Sequence, residues 1–150
     1  MAEYQKSAGL IIYHRNKEIR FLPLKYPNYW GFAKGLIEEN ENEEETAIRE
    51  LKEETGIEKA KIIPEFKEKQ EWFFKLKGDL IKKQAVFFLA EVKEEQAEKV
   101  KISSEHEDFA WLTYNEALKK IKIKANKELL KKAYDFINEK RKQKKLTCLF

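Results

Sequence analysis

The sequence predicts an α/β domain built in layers, and three observations predict it. The apolar run Ala8–Tyr13 and the run AVFFLAEV inside Leu80–Val92 read as buried strands. Residues 42–56, between them, carry the start and stop marks of a helix. A later stretch, Lys127–Lys140, places Leu129, Leu130, Ala133, Phe136 and Ile137 at helical spacing. Strands that alternate with helices, with hairpins among them, are the pattern of a layered α/β domain.

Taken in order, Tyr4–His14 is a strand that begins polar and turns apolar. Asn16 and Lys17 make a turn, and Glu18–Lys25 returns as a strand through Ile19, Phe21 and Leu22. Pro23 inside it lacks an N–H and marks an edge or a bulge. Pro27-Asn28 turns the chain again, into Tyr29–Phe32 and Lys34–Ile37. Lys61–Phe74 alternates weakly around Pro64, and Lys77-Gly78-Asp79 turns it into Leu80–Val92. Lys93–Lys101 reads as a charged connection, Phe109–Leu112 as a short strand, and Tyr114–Ile121 as a short helix. The chain ends on a basic run, Lys140–Lys145, and an apolar end, Leu146–Phe150. Repeats, linkers and a second domain are absent from this pattern, so residues 1–150 are expected to form one domain.

The most informative stretch is Gly35–Ile57, GLIEENENEEETAIRELKEETGI. Asn42 with Glu45 three residues on predicts a capping box, and Gly56 predicts the stop, where a left-handed residue is needed. At about 100° per residue, Glu50, Glu53 and Glu54 fall within roughly a 100° arc. Ile48, Leu51 and Thr55, with Ala47 at the edge, form the adjoining arc expected to face a core. Like charges spaced i,i+4 oppose helix formation, so three carboxylates on one face call for a compensating partner. A hard divalent cation with oxygen ligands is the natural one, and Mg2+ is the usual choice beside phosphates. Arg49, four residues before Glu53, is placed to orient that carboxylate, with Glu41 as its other partner.

A Glu-rich chain could form such a face as a solvated helix surface, but the wider spacing argues against this. Gly35, Glu41, Arg49, Glu50, Leu51, Glu53, Glu54, Gly56 and Ile57 fit G-x5-E-x7-R-E-U-x-E-E-x-G-U, with U apolar. Its chance occurrence in this composition is on the order of one in a million. The stretch resembles the Nudix box at every signature position. That resemblance implies the Nudix fold, a mixed sheet sandwiched between helices. It also implies a hydrolase that cleaves nucleoside diphosphates linked to a further group, using one or more divalent cations, Mg2+ or Mn2+.

The resemblance extends along most of the chain. SAGLIIYHRNKEIRFLPLKYPNYWGFAKG, AVFFLAEV and ISSEHEDFAWL follow in order and together resemble the asymmetric diadenosine tetraphosphate hydrolases of animals and archaea. In that group a Lys precedes the first box Gly, which corresponds to Lys34, and another precedes the late strand, which matches Lys83. Both are expected to hold phosphate. The acid of the S-x-E-H segment, Glu105, is expected to approach the cations from outside the helix. The resemblance also implies an aromatic platform for adenine, for which Trp72 and Phe73 are the candidates. Ala33 and Glu39-Asn40 depart from the Pro and Pro-Gly often found there. Asn40 tolerates the left-handed turn almost as Gly does, and neither departure removes a ligand. Trp30 and Trp111 read as core residues, and His14 as a structural one.

The chemistry expected of such a site follows from charge. A polyphosphate repels nucleophiles, so the site must neutralise it and hold a water in line. Glu50, Glu53 and Glu54, the Gly35 carbonyl and Glu105 are the expected cation ligands. Either Glu50 or Glu105 takes the water's proton. Substrates of the wider family, RNA 5′-triphosphate ends, nucleoside triphosphates and nucleotide sugars, are the alternative. A non-catalytic nucleotide-sensing domain is remote, because such domains lose box carboxylates and this chain keeps all of them.

Composition sets the outer bounds. Of 150 residues, 42% are apolar and 39% charged, with the signs interspersed and a net charge of only +4. A dedicated, strongly basic nucleic-acid surface is not expected from that balance. Abundant Lys and Glu with one Cys and one Met fit a thermophile, or a compositional bias of the genome. Cys148 has no partner for a disulfide, and no stretch is long and apolar enough for a signal peptide or a membrane span. The expected setting is the cytoplasm and the expected partner a small nucleotide; monomer and homodimer stay equally open.

Overall fold

The structure, a computed structural model, describes residues 3–148. β1 (Glu3–Arg15) is its axis: it pairs in parallel with β7 (Asp79–Val92) along one edge. Along the other edge it pairs antiparallel with both β2 (Ile19–Phe21) and β5 (Ala33–Leu36). β6 (Lys61–Leu76) joins β7 in a long antiparallel hairpin and forms one border of the sheet. β9 (Leu112–Thr113) pairs β2 at the other border. Parallel and antiparallel ladders in one sheet make it mixed. A second, small sheet orders β4 (Trp30–Gly31), β3 (Leu24–Lys25) and β8 (Asp108–Phe109).

Helices cover both faces of the main sheet, and period-2 alternation along β1 and β7 feeds a separate core on each side. On one side Leu10, Ile12, Val86 and Phe88 pack with Ala47 and Leu51 of α1 (Glu43–Thr55) and Ala97 of α2 (Glu94–Ala97). On the other, Ile11, Phe21, Phe87 and Leu89 pack with Ala117 of α3 (Tyr114–Lys120). Leu129, Leu130, Ala133 and Ile137 of α4 (Lys124–Cys148) complete that second core. Half-buried Trp30 and Trp111 pack against these cores, and Trp111 Nε1 donates to the Ala97 carbonyl at 3.1 Å. His14 meets the Trp111 ring edge-on at 5.7 Å, a packing contact.

Several expectations are corrected. The strand expected over Glu18–Lys25 is two strands in two sheets, because Pro23 cannot donate to a ladder. Phe109–Leu112 divides in the same way, β8 pairing with β3 and β9 with β2. The edge position of β6 tolerates Pro64 through a register shift between Ile62 and Lys67, with Glu65 at φ 76°. The charged connection after β7 contains α2, and α4 is longer at both ends than Lys127–Lys140. Lys140–Lys145 belongs to α4; Leu146 is exposed, while Leu149 and Phe150 lie outside the described residues. The buried face of α1 is rotated from the expected arc: Ala47 is fully buried and Ile48 is 45% exposed. That rotation carries Glu54 inward beside Leu51 and Thr55. Among the described residues no helix is long and apolar enough to cross a membrane.

Candidate active site

α1 is held at both ends by the devices its sequence encodes. Asn42 Oδ1 accepts from the Glu45 N–H at 2.8 Å, and Glu45 returns the bond to the Asn42 N–H at 3.1 Å. Gly56 ends the helix in the left-handed region at φ 78°, and Asn40 enters the same region before the helix at φ 69°. Arg49 then binds the helix to the preceding loop. Its Nε and Nη2 meet the Glu41 carboxylate at 2.6 and 3.0 Å, and Nη2 also donates to the Leu36 carbonyl at 3.0 Å. Nη1 reaches Glu50 at 2.9 Å and Glu53 at 3.1 Å. One planar guanidinium thus fixes three of the box carboxylates, which a point charge could not do. It holds the Glu41 carboxyl down at about 2.

The three carboxylates differ in burial, and that sets their chemistry. Glu53 is largely exposed, Glu50 mostly covered, and Glu54 buried, with side chains 57%, 14% and 3% exposed. Burial, then the nearby charges of Glu50 and Glu105, push Glu54 up to about 8. Burial also raises Glu50, against the pull of Arg49. Glu54 Oε1 lies 3.3 Å from the Tyr26 hydroxyl and 3.0 Å from His106 Nε2. Glu54 Oε2 is buried with no hydrogen-bond partner among the described residues.

Backbone bonds from Lys101 to the Thr55 carbonyl (2.9 Å) and from Ser103 to the Glu54 carbonyl (3.0 Å) dock the late loop on the end of α1. That docking brings Glu105 into one cleft of about 550 Å³ with Gly35, Glu50, Glu53 and Glu54. Ser103 Oγ and His106 Nδ1 are 3.1 Å apart beneath it. Burial lowers the His106 pKa.

Lys34 stands where this cleft meets a second one, of about 500 Å³, which Trp72, Tyr29, Asn126 and Leu129 help to line. Burial, then repulsion by Lys83, brings the Lys34 ammonium down to about 8. Its Nζ lies 4.6 Å from the centre of the Trp72 ring, and Lys83 Nζ lies 5.9 Å from it. Of the two aromatic candidates only Trp72 lines this cleft. Phe73 is 59% exposed on the opposite face of β6, as strand alternation requires.

Sequence reading did not single out Tyr26, Tyr29, Gln70 or Asn126. Tyr26 and Tyr29 stack at 4.6 Å and 8°, and Tyr26 meets His106 edge-on at 4.4 Å. The stack therefore runs from the second cleft to Glu54. A Y-x-x-Y spacing in a loop carries no signal of that, since the contact depends on the β3–β4 turn.

The donors fit a hard divalent cation. They are all oxygens, the orphaned Glu54 Oε2 lacks a partner, and Gly35 leaves open a space that the Glu50 carboxylate enters. Among the described residues no three His, Cys, Asp or Glu side chains already converge at metal-holding distance.

Comparison with known proteins gives the family. The NUDIX domain model matches residues 3–133. The asymmetrical bis(5′-nucleosyl)-tetraphosphatase of Mus musculus is 33% identical over 144 residues, covering 88% of this chain and 95% of that protein. A dihydroneopterin triphosphate diphosphatase of Haemophilus influenzae is 27% identical, covering 88% and 90%. Among solved structures, a C. elegans Ap4A hydrolase binary complex superposes with a TM-score of 0.78 at 31% identity, covering 90% of this chain and 98% of that one. A continuous match over the box, the strands that carry it and the late loop leaves one conclusion: the chain belongs to the Nudix hydrolases.

Proposed function

We propose that this Nudix pyrophosphohydrolase cleaves dinucleoside tetraphosphates asymmetrically, turning diadenosine tetraphosphate and water into ATP and AMP. One observation carries the reading: Lys34 is shared by a carboxylate-lined cleft and an aromatic-lined one. Such a pair suits a substrate with a base at one end and a long polyanion leading away from it. The 33% identity to the mouse enzyme supports the same choice.

In this reading Trp72 is the base platform, and Lys34 and Lys83 hold the phosphate chain as point charges. Glu50, Glu53, Glu54, Glu105 and the Gly35 carbonyl would hold Mg2+, or Mn2+ in its place. Bound there, the cation would supply charge neutralisation at the phosphates and acidify a water. Arg49 keeps Glu50 and Glu53 at their stations. Glu50 and Glu105 both border the cleft from positions where a carboxylate could accept the water's proton, and both are assigned as candidate bases. Glu54 keeps its carboxylate between the Tyr26 hydroxyl and the His106 ring. Glu41 and Gly56 serve the motif structurally.

Chromatography of products from a nucleotide panel incubated with Mg2+ tests the reading. Diadenosine tetraphosphate should give equal ATP and AMP, faster than nucleoside triphosphates, nucleotide sugars or triphosphorylated RNA react. Two ADP per substrate would remove it.

A further inference from the structure

We propose that Gln70 reads the edge of the bound nucleobase, and that Asn126 fixes the direction in which the Gln70 amide faces. The inference rests on the reading above that the aromatic cleft takes adenosine. Gln70 precedes Trp72 by two residues on β6, so both side chains stand on the same face and line the same cleft. Asn126, in the first turn of α4, is 8% exposed and lines it from the other side.

The two amides and a carbonyl form a chain of fixed polarity. Asn126 Nδ2 donates to the Trp30 carbonyl oxygen at 3.4 Å, and Gln70 Nε2 donates to Asn126 Oδ1 at 3.1 Å. A backbone carbonyl only accepts, so Asn126 must turn its nitrogen to Trp30 and its oxygen to Gln70. Gln70 must then offer its nitrogen to Asn126. Neither amide can flip without placing two acceptors or two donors face to face.

One N–H and the whole amide oxygen of Gln70 remain unused by any other hydrogen bond among the described residues. An unused donor and an unused acceptor of one amide group thus stand at the wall of a cleft that an indole ring also lines. A Gln amide meets adenine in this way, accepting from the 6-amino group and donating to a ring nitrogen. A 6-oxo purine offers the reverse order, an acceptor at C6 and a donor at N1. A freely flipping amide would serve both bases, whereas an amide held by Asn126 serves one. Gln70 is therefore a specificity-determining residue and Asn126 its positioning residue.

Calorimetric titration of the whole chain with AMP and with IMP tests this, since neither has a pyrophosphate bond to cleave. AMP should bind about 10-fold more tightly than IMP, the discrimination expected of one bidentate amide pair. Gln70→Leu, on an edge strand, should bring the two affinities together while leaving the melting temperature close to that of the parent. Asn126→Ala should narrow the ratio as well, because the freed amide can turn to suit either base. Equal affinities in the parent, tighter IMP binding, or an unchanged ratio in Gln70→Leu would overturn the assignment. The two readings fail separately. Symmetric cleavage of diadenosine tetraphosphate with the AMP preference intact removes the proposed reaction and keeps Gln70. Asymmetric cleavage without the preference does the reverse.

Discussion

A Cβ at residue 35 would lie 2.0 Å from the carboxyl carbon of Glu50, so Gly35 and Glu50 share a space that only glycine leaves open. The requirement here is room, since Gly35 is not among the residues with positive φ. In Gly35→Ala the end of a flexible side chain must move, and the strand need not. The variant should therefore melt near the parent temperature while kcat/KM falls about 100-fold, the effect of displacing a catalytic group by about 1 Å. Normal turnover in a well-folded Gly35→Ala protein would show that Glu50 does not work from this position.

Arg49→Lys separates charge from geometry. Lysine keeps the positive charge but cannot span Glu41, Glu50, Glu53 and the Leu36 carbonyl together. Steady-state kinetics should show kcat reduced about 10-fold or more, or ~1.4 kcal/mol, with a smaller change in KM. A variant that lost stability and kept kcat would make Arg49 a fastener of the loop alone.

Lys34→Ala should lower kcat/KM about 100-fold, in the range lost with a key electrostatic group. Lys119, exposed on α3, should tolerate Ala. Because Lys34 is brought down to about 8, kcat/KM of the parent should decline as pH rises through that value. Lys34→Arg should move the decline to higher pH, since guanidinium stays charged. Small and equal effects at positions 34 and 119 would return Lys34 to the status of a surface lysine.

These residues also show what the sequence could and could not carry. The cap, the stop and the Glu41–Arg49–Glu53 spacing act within one helix and its loop, so local rules reach them. The split at Pro23 was marked by the missing N–H, but its outcome, a second sheet with β8, depends on a strand some 80 residues away. Trp72 and Phe73 are alike in one dimension, and only the register against β7 decides which faces the cleft. Gln70 and Asn126 are ordinary polar residues until the fold brings them to 3.1 Å. The inward turn of Glu54 was hidden because Ala47 and Ile48 compete for the same core, and the smaller residue takes the tight approach to the sheet.

Glu54 sets stability against function, and its burial fixes the sign. In the metal-free protein its carboxyl is raised from 4.5 to about 8, so the folded state binds that proton more tightly than the unfolded chain does. The resulting stabilisation is complete below 4.5 and is lost as pH rises through about 8. Glu50, also raised by burial, adds in the same direction. Lys34 acts oppositely between about 8 and 10.5, and His106, which burial lowers from 6.5, acts oppositely inside the lower window, so the difference between parent and Glu54→Gln melts, in which both are present, reports the carboxylate. Without Mg2+, the parent should lose melting temperature across the lower window by several degrees, at about 2–4 °C per kcal/mol for a chain of this size. Glu54→Gln, which is neutral throughout, should lose much less. At the upper end of that window it should melt at or above the parent temperature. Added Mg2+ should restore the parent most where the carboxylate is ionised, and should stabilise the variant less. Activity should run the other way, with about 2–4 kcal/mol of transition-state stabilisation lost in the variant. Thermal melts with and without Mg2+ across the window, beside steady-state rates, measure both arms. A Glu54→Gln protein that melted far below the parent and turned over normally would make Glu54 a structural residue and remove it from the cation site.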